Sequence, residues 1–510
     1  MGEEQNTGEL KKNYEVSVDT YGGKVHVEWN PEAAVTPLGQ LPFFINFIKV
    51  SGLYDAFIEE CPLQYGSSNA PTKENVLGTL LLSVLAGQRR YAHITAIRSD
   101  GVNPELLGMT KVVSEDSARR ALKGMDEQRG IEWLEAQLSR VTRQALSIGS
   151  WILDVDTTVK CLYGKQEGAV VGYNPIKPGR PCHSYHSYFM ANTRLSLTVE
   201  VNAGNHSTSH HVAPGLWQLI ESLPENKRPT FIRADVAFGV EPILAEAEAR
   251  GIHYLSKLRL TSNVKRLIKK LFNAEGWVDA GYGFSGTEAV LQLSGWSKSR
   301  RVVVIRRELK GEIALVDGNA PEQLNFAFIE TIDKVKRYEY AVLVTSMQDE
   351  ILTIAQHYRD RADMENCLDE LKNQWGWGGY TTHDIKRCRI ISRIVALIYD
   401  WWSIFVRLAN PTKHHEAITS RPLLLHAVAK QTKHAGQTSI TITSTHARAG
   451  DVQAVLITLA AFLKKLKTYA EHLNTAEKMK IIITCAFRLI LQKPPAQPFY
   501  FALMPGAFDT

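Results

Sequence analysis

The sequence predicts an α/β fold, in which a mixed sheet is extended by a β-rich insertion and flanked by helical regions. Short runs rich in β-branched residues, WILDVDTTV, SYFMANTRLSLTVEV, PTFIRADVAF and IHYLSKL, begin near residue 150. Helical segments, HVAPGLWQLIESLP and VEPILAEAEARG, lie between them. Strands that alternate with helices are typical of an α/β domain with a mixed sheet.

The changes of pattern along the 510 residues divide the chain into several units. A polar segment, 1–35, holds one short alternating stretch that predicts a strand. The predicted order after it is a helical domain (36–148), the first part of the α/β core (149–257), a β-rich insertion (258–348), completion of the core (349–410) and a C-terminal helical region (411–510) that contacts DNA or mediates dimerisation.

The N-terminal helical domain carries two helix starts with capping residues. Thr72 precedes VLGTLLLSVLAG, and Ser114 opens SARRALKGMDEQ with adjacent Arg119 and Arg120. Two short helices of this kind are typical of a helix-turn-helix DNA-binding unit and equally of a plain helical domain.

Composition narrows the class of protein. A net charge of +6 is mildly basic, and the six cysteines are scattered without a CxxC pair, which argues against a disulfide framework or a zinc ribbon. The N-terminus is polar, and the most hydrophobic stretch, 390–408, contains Arg393, Asp400 and Arg407. We therefore expect a buried helix there rather than a membrane span, and a cytoplasmic, nucleoid-associated protein.

Acidic residues at strand positions suggest metal-dependent chemistry. Asp154 and Asp156 share one face of a strand, Asp235 ends the predicted strand FIRAD, and Glu365 lies in a predicted helix. Oxygen ligands of this kind bind Mg²⁺, and a pair of ions activates one oxygen while stabilising another. Taken alone, each aspartate fits a cap or a turn equally well.

The helix around Glu365 has one narrow polar face. With about 100° per residue, Tyr358, Arg361, Glu365 and Lys372 fall within a stripe roughly 60° wide. This face predicts contacts with metal and phosphate, whereas the alternative is a solvated face with an Arg361–Glu365 ion pair. Asp369 lies on the same stripe and competes with Glu365 as the ligand.

The motif Y-x2-R-x3-E-x6-K at Tyr358, Arg361, Glu365 and Lys372 resembles the signature of DDE transposases of bacterial insertion sequences. LDVDTTV, IRADVAFG and GIHYLSKLR follow the family's order, and the resemblance covers roughly 150–400. It implies an RNase H-like core whose β insertion lies between the second and third carboxylates. Consistent with this, 79 residues separate Asp156 from Asp235, and 130 separate Asp235 from Glu365.

The resemblance also implies roles for individual residues. Asp156, Asp235 and Glu365 would form the catalytic triad and hold two Mg²⁺ ions, for which Mn²⁺ can substitute. Asp156 is preferred over Asp154 because Thr157 and Thr158 follow it. The remaining motif residues, Tyr358, Arg361 and Lys372, would bind DNA phosphates, and Trp277 or Trp296 would stack on a flipped base, although either fits a core position.

The expected partner is double-stranded DNA, both transposon ends and target, bound by a homodimer in the synaptic complex. The expected activity is cut-and-paste transposition, in which terminal inverted repeats are bound, cleaved and joined to the target. The alternatives are a nuclease or resolvase that only hydrolyses, and an inactive DNA-binding regulator.

Three weaker candidates complete the sequence analysis. A basic segment contains Lys177, Arg180, His183 and His186, and fits either a surface turn or an approach to the active site. The histidines His206, His210 and His211 lack matched carboxylates, so a metal site is not expected there. Residues 411–450 are net basic, which suits a DNA-facing surface or an ordinary one.

Overall fold

The computed structural model describes residues 16–30, 32–67, 69–147, 149–174, 177–206, 208–308, 327–328, 338–443, 446–469 and 472–491. The mixed α/β fold predicted from the sequence is confirmed, because eleven of the described strands form one sheet with helices packed against it.

The described elements follow in chain order. The strands are β1 (Val16–Thr20), β2 (Gly23–Val27), β3 (Val35–Thr36), β4 (Ile152–Cys161), β5 (Val170–Val171), β6 (Pro181–Met190), β7 (Leu195–Ala203), β8 (Phe231–Ala234), β9 (His253–Lys257), β10 (Val278–Gly281), β11 (Phe284–Leu291), β12 (Arg300–Glu308), β13 (Ala327–Phe328), β14 (Tyr338–Thr345), β15 (Val428–His434) and β16 (Gln437–Thr443). The helices are α1 (Leu41–Val50), α2 (Leu53–Glu59), α3 (Lys73–Leu85), α4 (Ile94–Ile97), α5 (Asn103–Leu106), α6 (Glu115–Gly124), α7 (Glu127–Ala145), α8 (Thr208–Glu221), α9 (Glu241–Ala249), α10 (Ser262–Leu271), α11 (Ile351–Arg359), α12 (Ala362–Asn373), α13 (Ile385–Ala409), α14 (Ala417–Leu424), α15 (Ala449–Tyr469) and α16 (Thr475–Leu491).

The centre of the large sheet is β4. It pairs antiparallel with β6, which pairs antiparallel with β7, and on its other side β4 is parallel to β8, which is parallel to β9. All four residues of β8 are buried, as are the first five of β4, which explains why both read as apolar runs. The register places Asp154 of β4 opposite Arg233 of β8.

The predicted β-rich insertion continues this same sheet. β14 pairs antiparallel with β9, and β12, β11 and β10 follow in order toward the edge. Between β9 and β10 lies α10, a helix that the strand-rich prediction for this stretch did not include. The insertion and the core therefore share one continuous hydrogen-bonded ladder.

Helices from both ends of the chain pack around the long helix α13. Its residues from Ile390 to Arg407 are all buried, and it contacts α7, α16, α6 and strand β7. The predicted caps are confirmed, since Thr72 and Ser114 accept hydrogen bonds from the backbone N–H groups of Asn75 and Ser117. Within the described part of the chain, no single helix is long and apolar enough to cross a membrane, although α1 and α2, bent by 72°, pass that test as a pair.

The structure departs from the predicted elements at two polar hairpins. Residues 16–27 form two paired strands, β1 and β2, instead of one. The C-terminal region, predicted to be helical, contains the hairpin β15–β16, and β15 also pairs with β3. Ala435 and Gly436 both have positive φ at its turn, the conformation that a two-residue hairpin loop requires. The C-terminal region predicted to be helical thus holds the helices α14, α15 and α16 and also a β-hairpin that was not predicted from the sequence.

Candidate active site

The first and second predicted carboxylates lie on neighbouring parallel strands. Asp156 is in β4 and is 6% exposed, and its Oδ1 accepts a hydrogen bond from the Thr157 backbone N–H at 2.7 Å. Asp235 directly follows β8, and its Oδ1 accepts a hydrogen bond from the Ala237 N–H at 2.8 Å. These backbone bonds hold both side chains at the carboxyl end of β8, the edge at which open α/β sheets bind their ligands.

Asp154 is engaged in a different interaction. Arg233 of β8 donates two hydrogen bonds to it, from Nε at 2.6 Å and from Nη2 at 2.7 Å, and both side chains are almost fully buried. The Nη1 of Arg233 donates to the His357 carbonyl at 2.7 Å. Asp154 is thus one half of a bidentate internal ion pair, with both carboxylate oxygens taken.

The third carboxylate lies on a helix that differs from the predicted one. The continuous helix expected around Glu365 is two helices, α11 and α12, separated at Asp360 and Arg361. The Arg361 N–H bonds to the Tyr358 carbonyl, an i→i−3 bond that tightens the chain at the break. Glu365 lies in the first turn of α12, with its side chain half exposed.

Arg361 joins the carboxylates. Its Nη2 donates to Asp156 Oδ2 at 2.8 Å, and its Nη1 donates to Glu365 Oε1 at 2.5 Å. The predicted Arg361–Glu365 ion pair is therefore present, together with a contact to β4 that reaches across 205 residues of sequence. Arg361 is 7% exposed, so its bond to buried Asp156 is largely screened from water, whereas Glu365 keeps contact with solvent.

The site concentrates negative charge. Burial raises the pKa of Asp156 to about 7; Arg361 opposes this rise, whereas Asp235 and Glu365 add to it. Burial also raises the pKa of Asp235, again against the attraction of Arg361. The pKa of Arg361 is raised even though burial opposes this, because the carboxylates, Asp156 foremost, stabilise its charge. Neighbouring carboxylates repel one another when they are ionised, so a bound cation would stabilise their charged forms.

The other members of the predicted stripe also face the sheet. Tyr358 is largely buried, and burial raises its pKa; the charges of Arg361 and Asp235 also act on it. Lys372 Nζ donates to Thr158 Oγ1 at 3.1 Å, two residues beyond Asp156 on β4. Asp369, the competitor of Glu365, is exposed and accepts a hydrogen bond from Asn373 at 2.7 Å.

The donor set suits a divalent cation in its chemistry. Asp156, Asp235 and Glu365 offer hard carboxylate oxygens, the ligands that Mg²⁺ prefers. Among the residues that the structure describes, however, no three carboxylate, histidine or cysteine side chains are grouped closely enough to hold an ion. The Arg361 guanidinium bridges two of the three carboxylates, so it competes with a metal ion for Asp156 Oδ2 and Glu365 Oε1.

Two residues next to the carboxylates were missed by sequence reasoning. Lys257 ends β9, beside β8, and its charge acts on Asp235 and Glu365; burial lowers its pKa. Its place at the carboxyl end of a parallel strand was a usable signal. Arg194 donates two hydrogen bonds to Asp363 Oδ1, at 2.8 and 2.5 Å, and so fastens the first turn of α12 to the β6–β7 turn. Nothing in the sequence indicates that contact.

The tryptophans and histidines proposed from the sequence differ in their burial and contacts. Trp296 is buried with the Arg300 guanidinium over its ring, and Trp277 is half-buried with Arg306 at 3.6 Å from its ring centroid. His183 and His186 are fully buried in β6, and His186 Nδ1 lies 2.9 Å from Thr157 Oγ1, beside Asp156. The side chains of His210 and His211 lie outside the described residues.

Comparison with known proteins identifies the family to which this chain belongs. No curated protein matches the chain. One solved structure with overall similarity is a cryo-EM structure of a piggyBac transposase synaptic complex with hairpin DNA, which is 12% identical and covers 93% of this chain and 87% of that chain, with a TM-score of 0.38. The model of the family described as "Transposase DDE domain group 1" matches residues 67–467, which is most of the chain. The chain therefore belongs to the DDE transposases, enzymes that cleave and join DNA with the help of divalent metal ions.

Proposed function

We propose that this transposase moves DNA by a cut-and-paste route, in which it binds terminal inverted repeats, cleaves the DNA there and joins the freed 3′-hydroxyl to target DNA. The observation that supports this most directly is the arrangement of Asp156, Asp235 and Glu365 around Arg361. Two of these acids stand on rigid strands and the third on a helix, which suits a site that must admit both metal and DNA.

Asp156, Asp235 and Glu365 are the proposed ligands of two Mg²⁺ ions. When bound, the ions activate the attacking oxygen and stabilise the leaving oxygen. Asp156 and Asp235 are fixed by backbone N–H donors, whereas the Glu365 side chain is half exposed and accepts a hydrogen bond from Arg361. Glu365 is thus the carboxylate that can move when the site is loaded.

Arg361, Lys372 and Tyr358 are the proposed phosphate-binding residues. The Arg361 guanidinium can present two N–H groups to a phosphate once it leaves the carboxylates. Lys372 is held at Thr158 by one hydrogen bond, so its remaining donors can reach a phosphate beside Asp156. The Tyr358 hydroxyl adds a neutral donor at the same edge.

The first experiment tests metal-dependent DNA chemistry. Wild-type protein is incubated with Mg²⁺ and a duplex ending in the element's terminal repeat, which is found by sequencing the genomic fragments that the protein binds. We expect cleavage by wild type and none by Asp235→Asn or Glu365→Gln, both retaining DNA binding. Wild-type activity in Glu365→Gln would refute the assignment of this residue, and Asp369→Asn would then be tested.

A second experiment separates transposition from hydrolysis alone. A pre-cleaved end with a free 3′-hydroxyl is supplied with supercoiled target DNA, and joined products are measured. Paired joining of two ends is expected from a homodimer that holds both ends. Cleavage without joining would assign the chain to the nucleases instead, and binding without either reaction would assign it to the regulators.

A further inference from the structure

Helix α10 has a strongly basic exposed face. Its sequence, SNVKRLIKKL, contains four cations, Lys265, Arg266, Lys269 and Lys270, and no acidic residue. With about 100° per residue, the four cations occupy an arc of about 140°. All four are exposed to solvent.

The opposite face of α10 anchors it to the protein. Val264 and Ile268 are buried in the main core, and Leu267 and Leu271 pack against it. The following segment is tied back as well, because the Trp277 indole N–H donates to the Leu271 carbonyl at 3.1 Å, and Arg306 donates to the Phe272 carbonyl at 3.0 Å. The basic face is therefore held in a fixed orientation by packing on its other side.

The chain enters α10 directly from the edge of the sheet that carries the carboxylates. β9 ends at Lys257, whose charge acts on Asp235 and Glu365, and α10 begins five residues later at Ser262. The Leu258 N–H bonds to the Val342 carbonyl of β14, so the connection continues the sheet before it turns. Lys257 and the cations of α10 thus lie on consecutive elements that leave the edge of the sheet where Asp235 follows β8.

We propose that the exposed face of α10, formed by Lys265, Arg266, Lys269 and Lys270, binds the phosphate backbone of the DNA on one side of the cleavage site. The inference rests on the proposed function, since it takes DNA at the carboxylates as its starting point. From Lys265 to Lys270 the helix rises about 7.5 Å, and phosphates along one strand are spaced about 3.4 Å, so the basic face spans about two to three of them. Lysines and arginines that contact only phosphates bind without regard to base sequence, so this surface holds and orients the duplex.

The measurement that tests this is the salt dependence of DNA binding. Each neutralised phosphate contributes about −0.9 to the slope of log K against log salt concentration on duplex DNA. Replacing all four cations by glutamine (Lys265→Gln, Arg266→Gln, Lys269→Gln and Lys270→Gln) should reduce the slope by about 2 to 3 and weaken binding at least tenfold at low salt, for specific and unrelated duplexes alike.

Matched variants make the result specific. The control replaces two solvent-accessible lysines outside the regions expected to bind DNA, Lys24 of β2 and Lys227 at the amino end of β8, by glutamine, and we expect it to keep the wild-type slope. A conservative variant with Lys265→Arg, Lys269→Arg and Lys270→Arg should bind like wild type, which separates loss of charge from loss of folding. A wild-type slope in the glutamine variant of α10, or an equal loss per charge in the control, would overturn the inference.

Cleavage by wild type in the same assay reports on the proposed function separately. If wild type cleaves and joins ends while the α10 variant keeps its slope, the proposed function stands and the α10 surface does not. If wild type neither binds nor cleaves DNA, both are overturned together.

Discussion

Replacement by asparagine should have different effects at the two aspartates of β4. At Asp154 it should mainly reduce folding stability, and at Asp156 it should mainly abolish cleavage. Asp154→Asn removes the negative charge that neutralises Arg233. The guanidinium then stays buried without a counter-ion, and it keeps its hydrogen bond to the His357 carbonyl. Both partners are at most 2% exposed, so water cannot take the place of the lost carboxylate. Breaking one side of such a pair costs about 3–5 kcal/mol of folding free energy.

Asp156→Asn should cost less. Arg361 keeps Glu365 as a partner, and burial already raises the pKa of Asp156 to about 7, so its charge is poorly stabilised in the folded protein. Metal-dependent cleavage should nevertheless be lost, because the amide is a poor substitute for a carboxylate ligand.

The assay is denaturant unfolding followed by tryptophan fluorescence, with cleavage measured at a temperature where both variants are folded. The double variant Asp154→Asn/Arg233→Met removes both charges and should recover much of the lost stability. An Asp154→Asn protein with wild-type stability and no cleavage, beside an active Asp156→Asn protein, would refute this reading of β4 and make Asp154 the ligand.

Three further predictions follow from the contacts around the carboxylates. Arg194→Ala frees Asp363 and should raise the Mg²⁺ concentration for half-maximal cleavage several-fold, with partial rescue by Arg194→Lys and little change in DNA affinity. Arg361→Ala removes a cation that competes for Asp156 and Glu365, so calorimetry should show tighter Mn²⁺ binding while cleavage falls by a factor on the order of ten or more. Burial raises the pKa of Asp156 in the folded protein, so protonation of this group stabilises the fold near pH 4, and that stabilisation is lost as the pH rises through about 7. Unfolding measured without divalent ions across this pH range should show the decline in wild type and a flatter profile in Asp156→Asn.

The α/β core was predictable because its central strands are buried on both sides. β4 and β8 appear as short apolar runs, and the positions of Asp156 and Asp235 within them follow from the sequence alone. The hairpin β15–β16 was not predictable in the same way. Its residues are mostly exposed and polar, so no apolar alternation marks it, and its turn uses Ala435 where asparagine or aspartate would be the recognisable signal.

The interaction between Arg361 and Asp156 also lay beyond sequence reasoning. The spacing of Tyr358, Arg361 and Glu365 fits one helical face, and a single tightened turn at Arg361 leaves that spacing nearly unchanged. Which strand the face meets depends on tertiary packing across 205 residues, and periodicity carries no information about it. The same holds for Arg194 and Asp363, which are 169 residues apart.

The pairing of β14 with β9 has a practical consequence for anyone trimming this protein. Removing residues 259–347 to obtain a smaller catalytic core would strip β9 of its neighbour and leave its backbone N–H and C=O groups open along one side. A normally buried strand whose edge is exposed in this way is a template for pairing between molecules, so the shortened protein should aggregate. Charged substitutions on the freed edge, or retention of β14 through a short linker, would be the way to keep it monodisperse.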